Sequence, residues 1–299
     1  MSTVASSPRS RVPVPLSLAL GGLLGLLYLP LMWHWVDGWL NKSISIQHEY
    51  FSHGILGIPF AAYLAWSQRR SWQQLPDQTH PAGLGLLAIA AVFYASGLTD
   101  WLNLSFPLML AGICLTLKGW PGLKLMAFPM ALVALATPSQ LPYLIEPYAL
   151  PLQHFIATVA GFFLIQGGID VTVDQIYVLV NGQTVEVAPH CAGLKMLFTS
   201  LYVSLMLIQW TGLWQSRLRT GLLLLSTVVV SVAANILRNT LLSYFHGMSN
   251  QAAFDWLHES WGGDVYSAIT LLALVGIVQL LQRYVPAQIS LEAKDTSMV

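Results

Sequence analysis

The sequence predicts an all-α polytopic membrane protein, and three observations carry that expectation. Hydrophobic residues make up 55% of the 299-residue chain and charged residues only 9%, a balance that calls for lipid rather than water as solvent. The apolar residues fall in blocks of about 17 to 20, each long enough as a helix to cross a ~30 Å hydrocarbon layer. Arginines and lysines collect on alternate loops, as the positive-inside rule requires of a chain that crosses repeatedly. Net charge is zero, so nothing points to a nucleic-acid partner, and the partner that composition does require is the lipid bilayer.

Taken in order, the apolar runs predict about eight transmembrane helices at 16–34, 52–67, 82–99, 102–117, 121–137, 192–210, 219–237 and 264–282, all in one integral membrane domain covering 1–299. The first run leads into Trp33, His34, Trp35 and Asp37 instead of a small-residue cleavage site, so it is expected to stay as an anchor. Arg9 and Arg11 place the N-terminus in the cytoplasm, Arg69 and Arg70 return there after the second run, and Lys118 after the fourth. Arg217 and Arg219 mark a later cytoplasmic loop, and Arg283 with Lys294 a cytoplasmic C-terminus. The fifth run therefore ends outside, and the run at 192–210 begins outside. The apolar stretch between them, 142–168, carries Pro142, Pro147 and Pro151 and is interrupted by Gln153, His154 and Gln166. By parity it enters and leaves on the outer side, as an interfacial or re-entrant helix.

From Ile169 to Pro189 apolar and polar residues alternate around Asn181-Gly182, the strongest short hairpin signal. A short extracytoplasmic β-hairpin is thus expected at 170–188, running directly into Pro189, His190 and Cys191.

Cys191 stands at the outer start of the run 192–210. A thiol there meets the positive end of a helix dipole and unpaired backbone N–H groups, which favour the nucleophilic thiolate. The competing reading is a small buried hydrophobe. Cys114 is the control: it lies toward the inner leaflet, four residues before Lys118, so most of a ~30 Å membrane separates the two cysteines and topology excludes a disulfide. Arg238 ends an apolar run on the outer side, against the positive-inside bias, and either marks function or snorkels. Asn235 shares its helix face. His258 falls in the outer loop 245–263, with Asp255 and Glu259 within one turn to orient the imidazole. The topology puts a thiol, a guanidinium and an imidazole on one side of the membrane: a nucleophile, an anion stabiliser and a general acid or base.

The rival constellation is zinc, from His48, His53, His190, His246 and His258 with Glu49 or Cys191. In HEYFSH the histidines are five apart, about 140° around a helix, unlike an i,i+4 metal pair. No metal and no other cofactor is therefore expected.

The run VEVAPHCAGLKMLF around Cys191 resembles the nucleophile motif of the exosortase/archaeosortase family, multi-pass membrane cysteine transpeptidases and proteases that process C-terminal sorting signals. ANILRN resembles its arginine motif, and His258 fits its downstream histidine. Looser similarity runs through 137–153 and FSHG at 51–54. His190 and Ala192 depart from the familiar ACSG form and point to a subgroup, in style a cyanobacterial-type exosortase. The resemblance implies catalysis by Cys191, Arg238 and His258, supported by Asn235, His190, Asp255 and Glu259, without a cofactor. It implies as partners exported proteins that end in a short motif, often Pro-Glu-Pro, then a transmembrane helix and a basic cluster. Two readings from other classes stay open. One is a transporter or exopolysaccharide-assembly subunit without catalysis, which predicts charged or broken helices near the bilayer midplane. The other is a zinc-dependent membrane protease.

Overall fold

The computed structural model describes residues 14–40, 50–187, 193–258 and 261–286, with side chains from Gly22 onward. The chain divides into two compact units, Met1–Gln140 and Leu141–Val299.

In the first unit the helices are α1 (Val14–Leu40), α2 (Gly54–Ser67), the short polar α3 (Arg69–Gln74), α4 (Pro81–Ala95), α5 (Thr99–Leu125), which covers the run 102–117 and enters the run 121–137, and α6 (Ala127–Ala136). α1 buries Tyr28, Leu31, Trp35 and Trp39, spaced to share one helix face, against Ile55, Tyr94 and Phe106. Leu26, Leu29 and Trp33 on the other side stay exposed, as suits a face turned to lipid. Two of the polar side chains that α1 buries find partners, while Trp39 Nε1 has none. Trp35 Nε1 donates to Asn103 Oδ1 at 2.7 Å, and the Tyr28 and Ser105 hydroxyls lie 3.1 Å apart. At Gly119 the backbone of α5 leaves helical geometry with φ +59°. Beside that break, Lys118 Nζ donates to Asp77 at 2.6 Å and to the Leu75 carbonyl at 2.7 Å.

The second unit opens with α7 (Leu141–Ile145) and a 3₁₀ turn at Glu146–Ala149 before α8 (Leu150–Gln166). Pro147 and Pro151 lack the N–H a continuous helix would need, which accounts for the break. Three strands follow, β1 (Val171–Asp174), β2 (Tyr177–Val180) and β3 (Gln183–Glu186), in an antiparallel sheet of order β1-β2-β3. The expected hairpin is its β2-β3 half, turning at Asn181-Gly182. The structure adds β1, joined through Gln175 at φ +54°, with Val171 facing Val180 and Val173 facing Val178. One sheet face places Val178 and Val180 on Ile156, Ala157 and Leu164 of α8. Thr172, Asp174, Thr184 and Glu186 point away and are exposed, the alternation that a half-buried sheet requires.

The unit continues through α9 (Leu194–Thr211), α10 (Arg217–Gly247), α11 (Gln251–His258) and α12 (Trp261–Tyr284). α10 is the organising element. Its buried positions Thr227, Ser231, Asn235, Asn239, Ser243 and Gly247 recur every fourth residue. Four residues advance about 400°, so this ridge winds slowly around the helix. At one end Thr227 meets Ser204 of α9, their hydroxyls 2.7 Å apart. At the other, Gly247 packs beneath Val180, and Asn181 Nδ2 donates to the Gly247 carbonyl at 3.3 Å. Leu225, Val229 and Leu237 face outward. Small polar side chains inside and branched aliphatics outside are the inversion expected of a helix solvated by lipid.

Among the described residues five helical segments are long and apolar enough to cross a bilayer: Thr99–Leu125, Leu141–Gln166, Leu194–Thr211, Arg217–Gly247 and Trp261–Tyr284. Shorter apolar helices occupy Gly54–Ser67, Pro81–Ala95 and Ala127–Ala136.

Candidate active site

Of the predicted site residues, His190, Cys191 and Glu259 lie outside the described residues, as do His48 and Glu49 of the zinc alternative. Arg238, His258, Asn235 and Asp255 are described, and all four belong to the second unit.

The chain re-enters the described structure at Gly193, two residues after Cys191, as the N-cap of α9. Gly193 has φ +79° and, being glycine, no side chain with which to cap the helix. The first intrahelical bond runs from Leu197 N–H to the Gly193 carbonyl at 2.7 Å. The N–H groups of Leu194 and Met196 precede it and have no intrahelical acceptor. Only glycine fits at 193 for two separate reasons. The left-handed backbone disfavours a Cβ, and a Cβ there would lie 2.6 Å from Asn235 Cγ. Asn235 therefore presses its carboxamide onto the start of α9. It is 1% exposed, and neither its Oδ1 nor its Nδ2 has a hydrogen-bond partner. The carboxamide meets Gly193 and makes no hydrogen bond to the Arg238 guanidinium.

Arg238 sits one turn further along α10, half-buried, with Nε buried and unpartnered. Its Nη2 reaches to 4.0 Å from the position of a Cβ on Gly263, and the same Cβ would lie 3.1 Å from the Leu257 carbonyl. The guanidinium thus points to the corner between α11 and α12, where Tyr266 feels its charge. His258 ends α11 at that corner. Its imidazole stacks on Phe254 with centroids 5.2 Å apart and planes 17° from parallel. Phe254 in turn leans on His246, with centroids 5.3 Å apart. These rings line a cleft of about 170 Å³ between β3, α10 and α11, together with Thr184, Glu186 and Asn239. Asp255 accepts a hydrogen bond from Gln251 at 2.7 Å.

Three participants lack a sequence signal of their own. Gly193 belongs to the quoted motif, but its packing against Asn235 is a contact across 42 positions. His246 enters the sequence reading only as a metal candidate, and here it lines the cleft beside His258. Phe254 precedes His258 by one turn, an i,i+4 pairing that periodicity alone makes available. No group of three or more His, Cys, Asp or Glu among the described residues is placed to hold a metal ion. His53, in the first unit, has its Nε2 at 3.2 Å from the Leu135 carbonyl.

The fold and this cluster define a helical integral membrane protein with polar chemistry gathered at the start of α9 and the far half of α10. The transmembrane exosortase family matches residues 39–275, so the chain belongs to that family. No curated protein and no solved structure matches the chain.

Proposed function

We propose that the protein is a cysteine transpeptidase or protease that cleaves a C-terminal sorting signal, PEP-CTERM-like in form, from exported proteins at the outer face of a prokaryotic inner or plasma membrane. One observation carries this reading: the chain neighbours of the three candidate residues meet in one corner of the second unit. Gly193, two residues from Cys191, lies against Asn235. Arg238 is one turn beyond and extends to Gly263, and Gly263 packs on the residue before His258. In the proposed reaction the Cys191 thiolate adds to the scissile carbonyl and Arg238 steadies the negative charge on its oxygen. The C–N bond then breaks as His258 gives a proton to the leaving amine. The product is a thioester between Cys191 and the substrate, which an acceptor amine or water resolves.

The extracytoplasmic site with both termini inside rests on the distribution of basic residues, and two features support a site at a membrane surface rather than within the hydrocarbon. α10 has 31 residues and is about 46 Å long, so roughly ten of them project beyond a ~30 Å core. The sheet caps its Gly247 end. The sheet also covers α8 along its length. Gln153 Nε2 donates to the Val187 carbonyl at 2.9 Å, and Val173 fills the space beside Gly161. If α8 crossed the bilayer it would carry a polar-faced sheet into hydrocarbon, so 142–168 is assigned to the outer interface.

The test is processing of a co-expressed, tagged protein ending in a short motif, one apolar helix and a basic cluster. Cys191→Ala is expected to abolish processing and Cys114→Ala to leave it nearly intact, at matched membrane abundance. Equal activity in the two variants, or inhibition by EDTA but not by thiol alkylation, would refute the thiol chemistry. A reporter fused at Asn181 is expected to read extracytoplasmic, and a cytoplasmic signal would overturn the orientation.

A further inference from the structure

We infer that the carboxamide of Asn235 and the free N–H groups at the start of α9 form the pocket that receives the oxygen of the carbonyl under attack. The inference rests on the cysteine reading above and deepens it. α9 is an 18-residue helix, so its N-terminus carries the full positive end of a helix dipole. The N–H groups of Leu194 and Met196 lie before the first intrahelical bond, and the N-cap residue, a glycine, has no side chain with which to cap them. A helix start alone is not a site. What distinguishes this one is an asparagine 1% exposed, with both polar atoms unpartnered and its Nδ2 at 2.8 Å from the Cβ position of Gly193.

A structural helix cap would turn Oδ1 onto one of the N–H groups. Asn235 makes no such bond, so capping does not explain its burial. A donor for a negative oxygen does. Nδ2 lies against the N-cap of α9, two positions along the chain from the nucleophile, and has no hydrogen-bond partner. When Cys191 Sγ bonds to the carbonyl carbon, the C–O π electrons move onto oxygen. The resulting anion needs donors already in place that demand no reorganisation. Glycine at 193 lets the start of α9 pack directly on the carboxamide, because any Cβ would collide with it. Arg238, one turn along α10, then steadies the same charge with its planar fork of donors, and Asn235 adds a hydrogen bond from the start of α9.

The experiment compares Asn235→Asp and Asn235→Ala in a Cys114→Ser background. It measures processing of the tagged substrate at matched membrane abundance and, in parallel, the rate at which iodoacetamide alkylates Cys191. Asn235→Asp keeps the side-chain volume and removes the amide donor. Loss of one such donor costs on the order of 10²-fold in turnover, and both variants are expected to show it with alkylation within about twofold of wild type. Processing by Asn235→Asp within threefold of wild type would overturn the inference. So would alkylation falling in step with processing, which would make Asn235 a packing residue for the thiol segment. If Asn235→Ala does not accumulate, the volume-matched Asp variant decides alone. The two readings fail separately. Processing by Cys191→Ala removes the cysteine mechanism, whereas an essential Cys191 with an active Asn235→Asp removes only the pocket.

Discussion

Two asparagines, one in each unit, are almost equally buried and differ in what surrounds them. Asn103 in the first unit is 0% exposed; its Oδ1 accepts the indole N–H of Trp35, and only its Nδ2 has no partner. It stitches α1 to α5 within an aromatic cluster. Asn235 in the second unit has neither polar atom satisfied. Leaving a buried polar group unpaired costs about 1–3 kcal/mol, and a membrane helix has apolar residues of similar size available at any position. Burial of a polar side chain therefore does not mark function by itself. Burial with its hydrogen-bonding capacity left open, at the mouth of a helix and two residues from a candidate nucleophile, does.

The sharpest way to break this contrast uses two glycines, each facing a large side chain. A Cβ on Gly54 would meet the Trp39 ring at 2.5 Å, and a Cβ on Gly193 would meet Asn235 at 2.6 Å. Gly193→Ala is expected to lower processing by more than about 10²-fold, because it displaces the carboxamide and strains the backbone where reacting atoms must align. Gly54→Ala is expected to cost about 1–3 kcal/mol through overpacking, seen as a lower melting temperature in detergent with turnover per molecule unchanged. If both variants lost only stability, the two units would be alike and the contrast would collapse.

Arg238→Lys comes next in size. Lysine keeps the charge and can snorkel, so a merely anchoring Arg238 would tolerate it. A planar fork directed at one corner would not, and a loss of about 10²-fold is expected. Full activity in this variant would move Arg238 to anchoring and leave Asn235 as the candidate donor.

The smallest effect belongs to Asn103→Leu. It leaves the Trp35 N–H without its acceptor, and a fall of about 1–3 kcal/mol in stability is expected. Turnover at matched abundance should be unchanged. A loss of turnover would mean that Asn103 does more than hold α1 to α5.

Much of the helical framework is legible in the sequence because the signals are local. Apolar length finds the helices, alternating valines find the strands, and Asn181-Gly182 finds one turn of the sheet. The other turn escapes because Gln175 adopts φ +54° with no local preference for it, held there by the pairing of Asp174 with Tyr177. The site divides in the same way. Arg238 and His258 stand out by residue type and position along the chain. The role of Asn235 does not, since one-turn spacing ties it to Arg238 while its contact is with Gly193. Such tertiary contacts leave no periodic trace. The cleft of His246, Phe254 and His258 likewise forms only when the end of α10 folds back against α11.

The double constraint on Gly193 also has an evolutionary side. Backbone handedness at this position admits asparagine or aspartate as the nearest substitutes for glycine, yet either would drive a side chain into Asn235. The two positions cannot drift independently. In a collection of homologous chains, a residue other than glycine at 193 should appear only where 235 has become smaller, so the pair should read as a coupled column even though 42 positions separate its members.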